Sequence, residues 1–435
     1  MDRLGTTAAI VTLGCKTNQF ESHLMEQQLK AAGLSVIPFE QGAELVVVNT
    51  CTVTSATDAQ SRNLVRRCRR LNPRCRIVVT GCYAQVRPQV FSDLPGVALV
   101  LGNEEKSSLV EFLAAGGESR VQVSDIRSGC GGLSFNSFPA TDRSRAYLQI
   151  QNGCDAFCTY CIIPYARGPS RSLPLDQVLV MSEKLAARGF AEVILTGIHI
   201  GCYGRDLDPP LSLWDLVRAL EQQQLIPRLR LGSIEPQEIP ENLIAAMARS
   251  RIICPHFHIP LQSGDDAVLK RMGRHYGREF FHRLVARIHA LVPDAAIGLD
   301  VMAGFPGETE AEFRNSCDLV AALPVSYLHV FPFSRRPGTP AAAMGGQIPA
   351  GLIRERAALL RDLGEQKRQE FLRRFVGKRL QVLVEGESGS GLRHGLSGNY
   401  LPVFFVGGAC REQLIEVDIL KVSGTGLEGV IASGN

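Results

Sequence analysis

The sequence lacks the features that mark membrane-spanning and exported proteins. Its 435 residues contain no apolar run of about 18 residues, the length that a transmembrane helix needs. The first residues, MDRLGTTAAIVTLGC, also lack the basic region and the long apolar stretch of a signal peptide. We therefore expect a cytoplasmic protein that has no membrane partner.

Strong net charge and sequence repeats are also missing. The formal net charge is only +4, and no heptad or solenoid repeat is visible. The positive residues are nevertheless clustered in two segments, one from Arg62 to Arg76 and one from Arg354 to Arg379. A solvated helix face explains a single basic segment equally well, but two such segments favour a polyanionic partner.

Cysteine, in contrast, is abundant, and its thirteen residues are an odd number. A disulfide framework fits poorly, because a chain of this length buries a core without cross-links and carries no export signal. In a cytoplasmic protein such usage favours metal or cluster ligation, while the remaining thiols are small buried hydrophobes. The placement of the cysteines along the chain must therefore indicate which of them are ligands.

Strand and helix signals divide the chain into two α/β parts and an all-β part. Residues 1–125 alternate apolar strands with amphipathic helices, which predicts a doubly wound parallel sheet. A Gly- and Ser-rich linker covers residues 126–143. Residues 144–370 resume the alternation with six strands, which predicts a partial (βα)6 barrel. Residues 371–435 carry short strands separated by glycine and serine, which predicts a small antiparallel β-barrel.

The segment GCDAFCTYC places Cys154, Cys158 and Cys161 on one loop with C-x3-C-x2-C spacing. Three thiolates hold three irons of a cubane cluster and leave the fourth iron open, whereas electron carriers use four cysteines. The loop follows the first strand of the predicted barrel and therefore lies at its catalytic end. A structural zinc site would need a fourth Cys or His at regular spacing, and none is nearby. The spacing therefore predicts a cluster whose open iron binds a substrate.

Three further cysteines share a position at the ends of apolar strands. Cys15 ends AAIVTLGC, Cys51 follows ELVVVNT and Cys82 ends RIVVTGC. In a parallel sheet the carboxyl ends of the strands meet at one edge, where ligands bind, so these cysteines should converge. One strand-end cysteine is usually a buried small residue, but three at matching positions are hard to explain by packing. They predict a second cluster with an open iron.

The other seven cysteines lack such a placement and are predicted to be structural or incidental. They are Cys68, Cys75, Cys130, Cys202, Cys254, Cys317 and Cys410. Cys68 and Cys75 lie among arginines, which would lower their pKa, but no partner is evident. His256 and His258 alternate on a predicted strand and share one face. Because no third metal ligand is apparent, they are predicted to line the barrel or to be structural.

The motifs resemble those of the radical S-adenosylmethionine (SAM) methylthiotransferases over nearly the whole chain. GCDAFCTYCIIPYARG is similar to their SAM-cluster loop, and TLGCKTNQFES, VVVNTCTVT and GCYAQ are similar to the cysteine contexts of their N-terminal domain. From about Gly377 the chain is similar to their TRAM β-barrel. TLGCKTNQ, HFHIPLQSG and SRRPGTPAAAM resemble the branch that acts on N6-threonylcarbamoyladenosine (t6A) at position 37 of tRNA.

This resemblance implies two 4Fe-4S clusters and SAM as cofactors. Cys154, Cys158 and Cys161 would hold the SAM-binding cluster, and the three strand-end cysteines would hold a cluster that presents a methylated sulfur to carbon 2 of the adenine. The implied partners are the anticodon stem-loop of a tRNA, an electron donor such as flavodoxin or ferredoxin, and a sulfur source. The TRAM barrel would grip the unstacked RNA bases. Its candidate stacking residues, some of which must be core, are Tyr400, Phe404 and Phe405.

The resemblance also points to polar residues near the barrel mouth as SAM contacts. These candidates are Tyr160, Arg171, Thr196, Gly197, Ser233, Glu235, Gln262 and Ser263. Arg171 would pair with the carboxylate of SAM, Glu235 would accept a hydrogen bond from its ribose, and Gln262 would offer a polar contact. An ordinary barrel-lining role is the open alternative for these residues.

Two other functions stay open at this point. The branch acting on isopentenyladenosine typically reads GCQMN after its first strand, and the ribosomal-protein branch reads GCPKN, whereas this chain reads GCKTN. Either substrate would use the same chemistry. A non-catalytic iron–sulfur protein that binds RNA would keep the cysteines and the basic segments but would not cleave SAM.

Overall fold

The computed structural model describes residues 5–115, 120–128, 133, 144–387 and 391–432. Contacts divide the chain into two compact units. The first unit comprises Met1–Thr141, Gln151–Leu173 and Ser334–Ala342, and the second comprises Asp142–Ile150, Pro174–Phe333 and Ala343–Asn435. Most of the predicted linker lies outside the described residues, and so does Cys130. Within the described ranges, no helix combines the length and the apolar character that crossing a membrane requires.

The N-terminal part of the chain folds as a parallel sheet flanked by helices. Its strands are β1 (Thr7–Thr12), β2 (Ser35–Val36), β3 (Leu45–Thr50), β4 (Arg76–Gly81), β5 (Val97–Leu101) and β6 (Val121–Gln122). Its helices are α1 (Lys16–Ala31), α2 (Ser55–Leu71), α3 (Cys82–Val86), α4 (Gln89–Ser92) and α5 (Leu109–Ala115). The strands lie in the order β2-β1-β3-β4-β5-β6, and the described pairs are all parallel. The predicted doubly wound α/β fold is confirmed.

Strand β3 is buried along its whole length because apolar side chains pack on both faces of the sheet. Val46 and Val48 belong to one core cluster, which also contains Val65 of α2. Leu45 and Val47 belong to a second cluster, formed with residues of α1 and α5. A parallel strand that is buried on both faces reads as a continuous apolar run. This explains why LVVV shows no alternation with polar residues.

Helix α2 starts with a capping box shortly after Cys51. The Thr54 hydroxyl accepts a hydrogen bond from the N–H of Thr57 at 3.2 Å, and the Thr57 hydroxyl accepts one from the N–H of Thr54 at 3.2 Å. Such reciprocal capping satisfies backbone donors that a helix start leaves unpaired. The cap therefore fixes where the chain turns after strand β3.

The central part of the chain contains the predicted partial barrel and a separate two-stranded sheet, formed by Gln151–Asn152 (β8) and Arg171–Ser172 (β9). Its strands are β7 (Arg145–Gln149), β8 (Gln151–Asn152), β9 (Arg171–Ser172), β10 (Glu192–Thr196), β11 (Arg228–Leu231), β12 (His256–Gln262), β13 (Ala296–Ala303) and β14 (Tyr327–Pro332). Its helices are α6 (Ile163–Arg167), α7 (Leu175–Ala187), α8 (Leu213–Gln223), α9 (Glu241–Met247), α10 (Asp266–Met272), α11 (Arg278–Leu291), α12 (Glu310–Ala322), α13 (Pro340–Ala343) and α14 (Ala350–Arg373).

Six of these strands run parallel in the second unit. They form two sheets, β7-β10-β11 and β12-β13-β14, and parallel bridges from Leu229 to Ile253 and from Ser233 to His258 connect the two. Each strand thereby presents its carboxyl end at the same mouth, as in other barrels of alternating strands and helices. The predicted (βα)6 arrangement is confirmed.

The last strands close into a small β-barrel. They are β15 (Arg379–Glu387), β16 (Arg393–Ser397), β17 (Pro402–Val406), β18 (Leu414–Ser423) and β19 (Gly426–Ile431). The order is β15-β16-β17-β19-β18. Four neighbouring pairs are antiparallel as predicted, and β17 pairs with β19 in parallel. Its core holds Val382, Val403 and Phe405 together with Phe371 of α14.

A buried ion pair connects the partial barrel to the C-terminal β-barrel. Arg230 Nε donates to Glu192 Oε1 at 2.7 Å, and Arg228 lies 2.9 Å from the other carboxylate oxygen. Arg230 also donates to the carbonyl of Gly398 at 2.9 Å, and its guanidinium lies over the ring of Tyr400. Burial raises the pKa of Glu192, but the two guanidinium groups overcome this effect and hold the pKa below its usual value. The charged form of Glu192 therefore stabilises this connection.

Candidate metal centres

The three strand-end cysteines lie together at the carboxyl edge of the N-terminal sheet. Strands β1, β3 and β4 are neighbours, and Cys15, Cys51 and Cys82 follow their ends. Thr50 lies opposite Gly81 in the register, so Cys51 and Cys82 leave the sheet side by side. The structure thus brings together three thiols that are far apart in the sequence, as the geometry of parallel strands requires.

Two glycines allow the close approach of these cysteines. Gly14 has a φ of +95°, and a Cβ on it would lie 2.7 Å from the Cβ and 2.8 Å from the Sγ of Cys51. Gly81 has a φ of +96°, and a Cβ there would come closer than 3.0 Å to the carbonyl oxygen of Thr50. Any other residue at these positions would force the strand ends apart. The glycines therefore hold Cys15 and Cys82 against Cys51.

The environment of Cys51 shows how strongly the three thiols affect each other. Cys51 is buried, and this burial raises the pKa of its thiol to about 12, with smaller contributions from the neighbouring Cys82 and Cys15. Three thiolates at one place repel each other unless a cation lies among them. Iron–sulfur clusters and zinc are the metal centres that thiolates select. The arrangement fits a metal centre with three protein ligands.

A buried arginine also reaches this centre, and our reading of the sequence missed it. Arg167 is fully buried, and its Nε donates to the Sγ of Cys82 at 3.1 Å. Its terminal nitrogens contact Glu21 and Asn18. The sequence carried one weak signal, an arginine in the largely apolar segment IIPYARG, because charged residues are seldom fully buried without partners.

The second cysteine set lies on one loop of the first unit. The N–H of Cys154 donates to the carbonyl of Gly168 at 3.0 Å, and the N–H of Cys161 donates to the carbonyl of Cys158 at 2.9 Å. The N–H of Ala156 donates to the Sγ of Cys154 at 3.5 Å. Cys158 is buried, and the other two cysteines are half-buried. Backbone hydrogen bonds thus close the loop around three thiols, which fits a second centre with three protein ligands.

Both cysteine sets belong to the same compact unit, because helix α6 packs against helix α3. Helix α3 begins at Cys82, and helix α6 follows the second cysteine set. Nearby, Asn103 Nδ2 donates to the carbonyl of Ala166 at 2.6 Å. Residues 151–173 therefore associate with the N-terminal sheet, although they fall within the predicted barrel segment 144–370. These contacts join residues that are distant in the sequence, so local patterns do not reveal them.

Two of the predicted SAM contacts lie in the first unit, Tyr160 on the second cysteine loop and Arg171 on strand β9. Tyr160 is half-buried beside Cys161. The sequence predicts that Arg171 pairs with the carboxylate of SAM, but in the structure Arg171 forms an ion pair with Glu104 at 2.6 Å. The pairing of Arg171 with SAM stays a prediction.

The remaining predicted SAM contacts lie on the partial barrel. Five of them are at the carboxyl ends of strands β10, β11 and β12, namely Thr196, Gly197, Ser233, Glu235 and Gln262. Glu235 contacts Arg274, and burial raises the pKa of Glu235 more than this guanidinium lowers it. Ser263 is fully buried, and its hydroxyl faces that of Ser316 on α12 at 3.2 Å. In the described structure the Ser263 side chain thus packs against α12, and its contact with SAM stays a prediction.

Two polar clusters of the second unit contain neighbours that the sequence alone does not reveal. His258 has further potential metal ligands beside it, since its Nε2 lies 3.2 Å from Asp300 Oδ1 and 3.2 Å from His329 Nδ1. These neighbours come from β13 and β14, which the sequence alone does not place next to His258. Cys202, which is predicted to be incidental, lies 3.3 Å from Glu238 Oε1.

Cys68 and Cys75 pack in the core of the N-terminal sheet. Burial raises the pKa of the Cys68 thiol to about 12 and also raises that of Cys75. The neighbouring arginines Arg67 and Arg69 do lower these pKa values, as predicted, but burial in the core outweighs their effect.

The two basic segments differ in how many of their cations pair with carboxylates of the protein. The first forms α2 and the following turn, where the exposed arginines are Arg66, Arg67, Arg70 and Arg74, and Arg67 pairs with Glu40 at 3.4 Å. In the second segment, Arg356 is buried against Glu308 at 2.8 Å, and Arg379 pairs with Asp418 at 2.7 Å. The protein thus neutralises part of the second segment itself, and the first segment is the stronger candidate for phosphate contacts.

The three aromatic residues proposed for base stacking have different environments. Phe405 is fully buried in the core of the β-barrel, so it is excluded as a stacking residue. The ring of Tyr400 packs 4.6 Å from the ring of His256 and 5.0 Å from the guanidinium of Arg230. Phe404 is half-buried beside His394 and is the remaining candidate.

Comparisons with known proteins agree with this architecture. Residues 7–102 match the model of Uncharacterized protein family UPF0004, and residues 148–320 match the radical SAM superfamily. The chain is 38% identical to a threonylcarbamoyladenosine tRNA methylthiotransferase, MtaB, of Rickettsia prowazekii, over 91% of this chain and 90% of that protein. It is 34% identical to a tRNA-2-methylthio-N(6)-dimethylallyladenosine synthase of Pelotomaculum thermopropionicum, over 92% and 91%. The solved structure of the radical SAM methyltransferase TsrM of Kitasatospora setae has a similar fold, with a TM-score of 0.59 and 17% identity over 78% of this chain and 77% of that chain.

Proposed function

This chain belongs to the family of radical SAM tRNA methylthiotransferases, and from that membership we propose that it adds a methylthio group to carbon 2 of t6A at position 37 of tRNA. The observation that carries the choice of t6A is the similarity to the MtaB enzyme of Rickettsia prowazekii over 91% of this chain. The residues GCKTN after the first strand favour the same branch.

The two cysteine sets fit the cofactors of this family. Cys154, Cys158 and Cys161 would hold one 4Fe-4S cluster and leave an iron open for SAM, and the three strand-end cysteines would hold a second cluster. When bound, these cofactors supply the one-electron chemistry together with the sulfur and the methyl group, which protein side chains do not provide. The support from this chain is that each set gathers three thiols within the same compact unit.

The protein's own contribution is to position these groups. Gly14 and Gly81 keep Cys15 and Cys82 close to Cys51, and the carbonyl of Gly168 holds the backbone of Cys154. Burial of Cys51 keeps water away from the sheet side of the N-terminal centre. At the mouth of the partial barrel, the side chains that would contact SAM are Thr196, Ser233, Glu235 and Gln262.

We further propose that the substrate tRNA binds through the anticodon stem-loop. The exposed arginines of α2 and the following turn would contact phosphates, and the C-terminal β-barrel would contact bases next to the modified adenosine. The reaction would need an electron donor such as flavodoxin or ferredoxin and a source of sulfur. With such partners and substrates, the protein would act in the cytoplasm.

Nucleoside mass spectrometry tests the proposed substrate. A strain that lacks this protein should lose 2-methylthio-t6A and accumulate t6A, and a plasmid that encodes the protein should restore the modified nucleoside. Unchanged 2-methylthio-t6A in the deletion strain would overturn the proposal. Loss of the methylthio derivative of isopentenyladenosine instead would assign the protein to that branch. A change confined to a ribosomal protein would assign it to the third branch.

A second measurement separates the enzyme from a non-catalytic iron–sulfur protein that binds RNA. After anaerobic reconstitution the full-length chain should contain about eight irons, because each set of three cysteines would hold one cubane. After reduction it should release 5′-deoxyadenosine from SAM. A chain with clusters but without this product would exclude the proposed chemistry.

A further inference from the structure

We propose that Arg167 is a positioning residue for the N-terminal cluster, where a charged hydrogen bond to the Cys82 sulfur holds this ligand and raises the reduction potential of the cluster. The inference rests on the proposed function, because it takes Cys15, Cys51 and Cys82 as the ligands. Arg167 ends helix α6, which follows the cysteines of the SAM cluster, but it would act on the N-terminal cluster.

The contact between Arg167 and Cys82 has the geometry of a hydrogen bond to sulfur. Nε lies 3.1 Å from Sγ, and the Arg167 and Cys82 side chains are buried. A guanidinium stays charged in proteins and has no acceptor capacity, so it must be the donor. A ligated or ionised sulfur is a much better acceptor for it than a neutral thiol. The contact therefore fits a Cys82 that is a metal ligand.

Arg167 is also fixed to the other two strand ends. It donates to Asn18 Oδ1, and Asn18 Nδ2 in turn donates to the carbonyls of Leu13 at 2.7 Å and Thr50 at 3.0 Å. Leu13 lies just before Gly14 and Cys15, and Thr50 lies just before Cys51. One guanidinium thus connects, directly or through Asn18, to the segments that carry all three cysteines.

An ordinary structural ion pair does not account for this arrangement. Glu21 contacts Arg167, but it also pairs with the buried Lys106 at 2.5 Å. One carboxylate therefore faces two basic side chains in a site that is closed to water. A buried cation is costly unless an anion compensates it. An anionic centre at Cys82 would supply this compensation.

The charge of Arg167 predicts a direction for the redox effect. Reduction adds a negative charge to a cluster, and a nearby cation or an N–H···S hydrogen bond stabilises the reduced form more than the oxidised form. The cluster with Arg167 should therefore be easier to reduce than the same cluster without it. A residue that only supports the fold would not change the potential of a correctly assembled cluster.

The test uses the full chain with Cys154, Cys158 and Cys161 all changed to alanine, so that only the N-terminal cluster can assemble. This parent should bind about four irons. Electron paramagnetic resonance during a redox titration then gives the midpoint potential of that cluster. The variants to compare in this parent are Arg167→Gln, Arg167→Lys and the control Arg356→Gln. The control also removes a buried arginine that pairs with a glutamate, but it lies in the second unit.

We expect Arg167→Gln to shift the midpoint to a more negative potential and Arg167→Lys to shift it less, because lysine keeps the charge but loses the Nε hydrogen bond. Arg356→Gln should leave the midpoint unchanged. The proposal would be overturned if the midpoint potential of Arg167→Gln equalled that of the parent. If Arg167→Gln binds no iron, a midpoint potential of Arg167→Lys equal to that of the parent would overturn it instead. A parent that binds no cluster would instead refute the assignment of the three strand-end cysteines.

Discussion

Replacing Gly81 by alanine should remove the N-terminal cluster while leaving the SAM-cluster loop functional. Gly81 has φ and ψ of +96° and −173°, a region that is open almost only to glycine. Alanine there costs about 1–3 kcal/mol in backbone conformation alone. Its Cβ would also come closer than 3.0 Å to the carbonyl oxygen of Thr50, a contact that backbone movement must relieve.

The energetic cost falls on the position of Cys82, which is the next residue. A free-energy cost of about 1–3 kcal/mol reduces the population of the ligating conformation about 5- to 150-fold, since each 1.4 kcal/mol is a factor of ten. After anaerobic reconstitution, the iron content of Gly81→Ala should therefore fall from about eight to about four per chain. Reductive cleavage of SAM should persist, because Cys154, Cys158 and Cys161 lie on a different loop.

Gly33→Ala is the matched control. Gly33 also has a positive φ, +87°, but a Cβ there would meet nothing within 4 Å. It follows helix α1, at the end of the helix remote from Cys15. This variant also places alanine at a positive φ but should retain about eight irons. Retention of about eight irons in Gly81→Ala, or an equal loss in both variants, would refute the role assigned to Gly81.

Three other changes test separate parts of the molecule. Cys51→Ala should lose 2-methylthio-t6A formation but still release 5′-deoxyadenosine from SAM, as measured by mass spectrometry; loss of both products would contradict separate cluster roles. Arg230→Met should destabilise the second unit, seen as a lower melting temperature, because the buried Glu192 loses one of its close guanidinium partners; since Arg228 remains 2.9 Å away, the cost should be less than the about 3–5 kcal/mol of a fully unpaired buried charge. The pKa of Glu192 is lowered in the fold, so its ion pair contributes stability above about pH 4.5 that is lost as the pH falls further. Below that pH the melting temperature of the wild type should therefore fall more steeply than that of Glu192→Gln. Replacing three exposed arginines of the first basic segment by glutamine, Arg66→Gln, Arg70→Gln and Arg74→Gln together, should weaken tRNA binding. It should also flatten the dependence of binding on salt by about 0.7–0.9 log units per lost phosphate contact, measured by filter binding.

Local patterns were sufficient for the fold and for the cysteine sets. The apolar run before Cys51 predicts a strand of a parallel sheet, since both faces of such a strand are buried. The equivalent placement of Cys15 and Cys82 then predicts that the three thiols meet, because parallel strands share one carboxyl edge. The spacing of Cys154, Cys158 and Cys161 is short enough to define their loop without any tertiary information.

Residues whose partners come from distant segments were beyond the reach of these patterns. Ser263 looks like a mouth residue in PLQSG, but the packing of α12 buries it against Ser316. Tyr400 looks available for RNA, but it packs on His256 and Arg230 of the partial barrel.

The sequence by itself determined which thiols belong together, because strand ends and loop spacing are local properties with a fixed geometric consequence. Only the tertiary structure decided what surrounds them. Arg167 reaches Cys82 and Glu21 because helix α6 packs against helix α3, and this packing depends on how whole elements fit rather than on any short pattern. A buried charge is stable only where its partners compensate it, and these partners become neighbours only when the chain has folded.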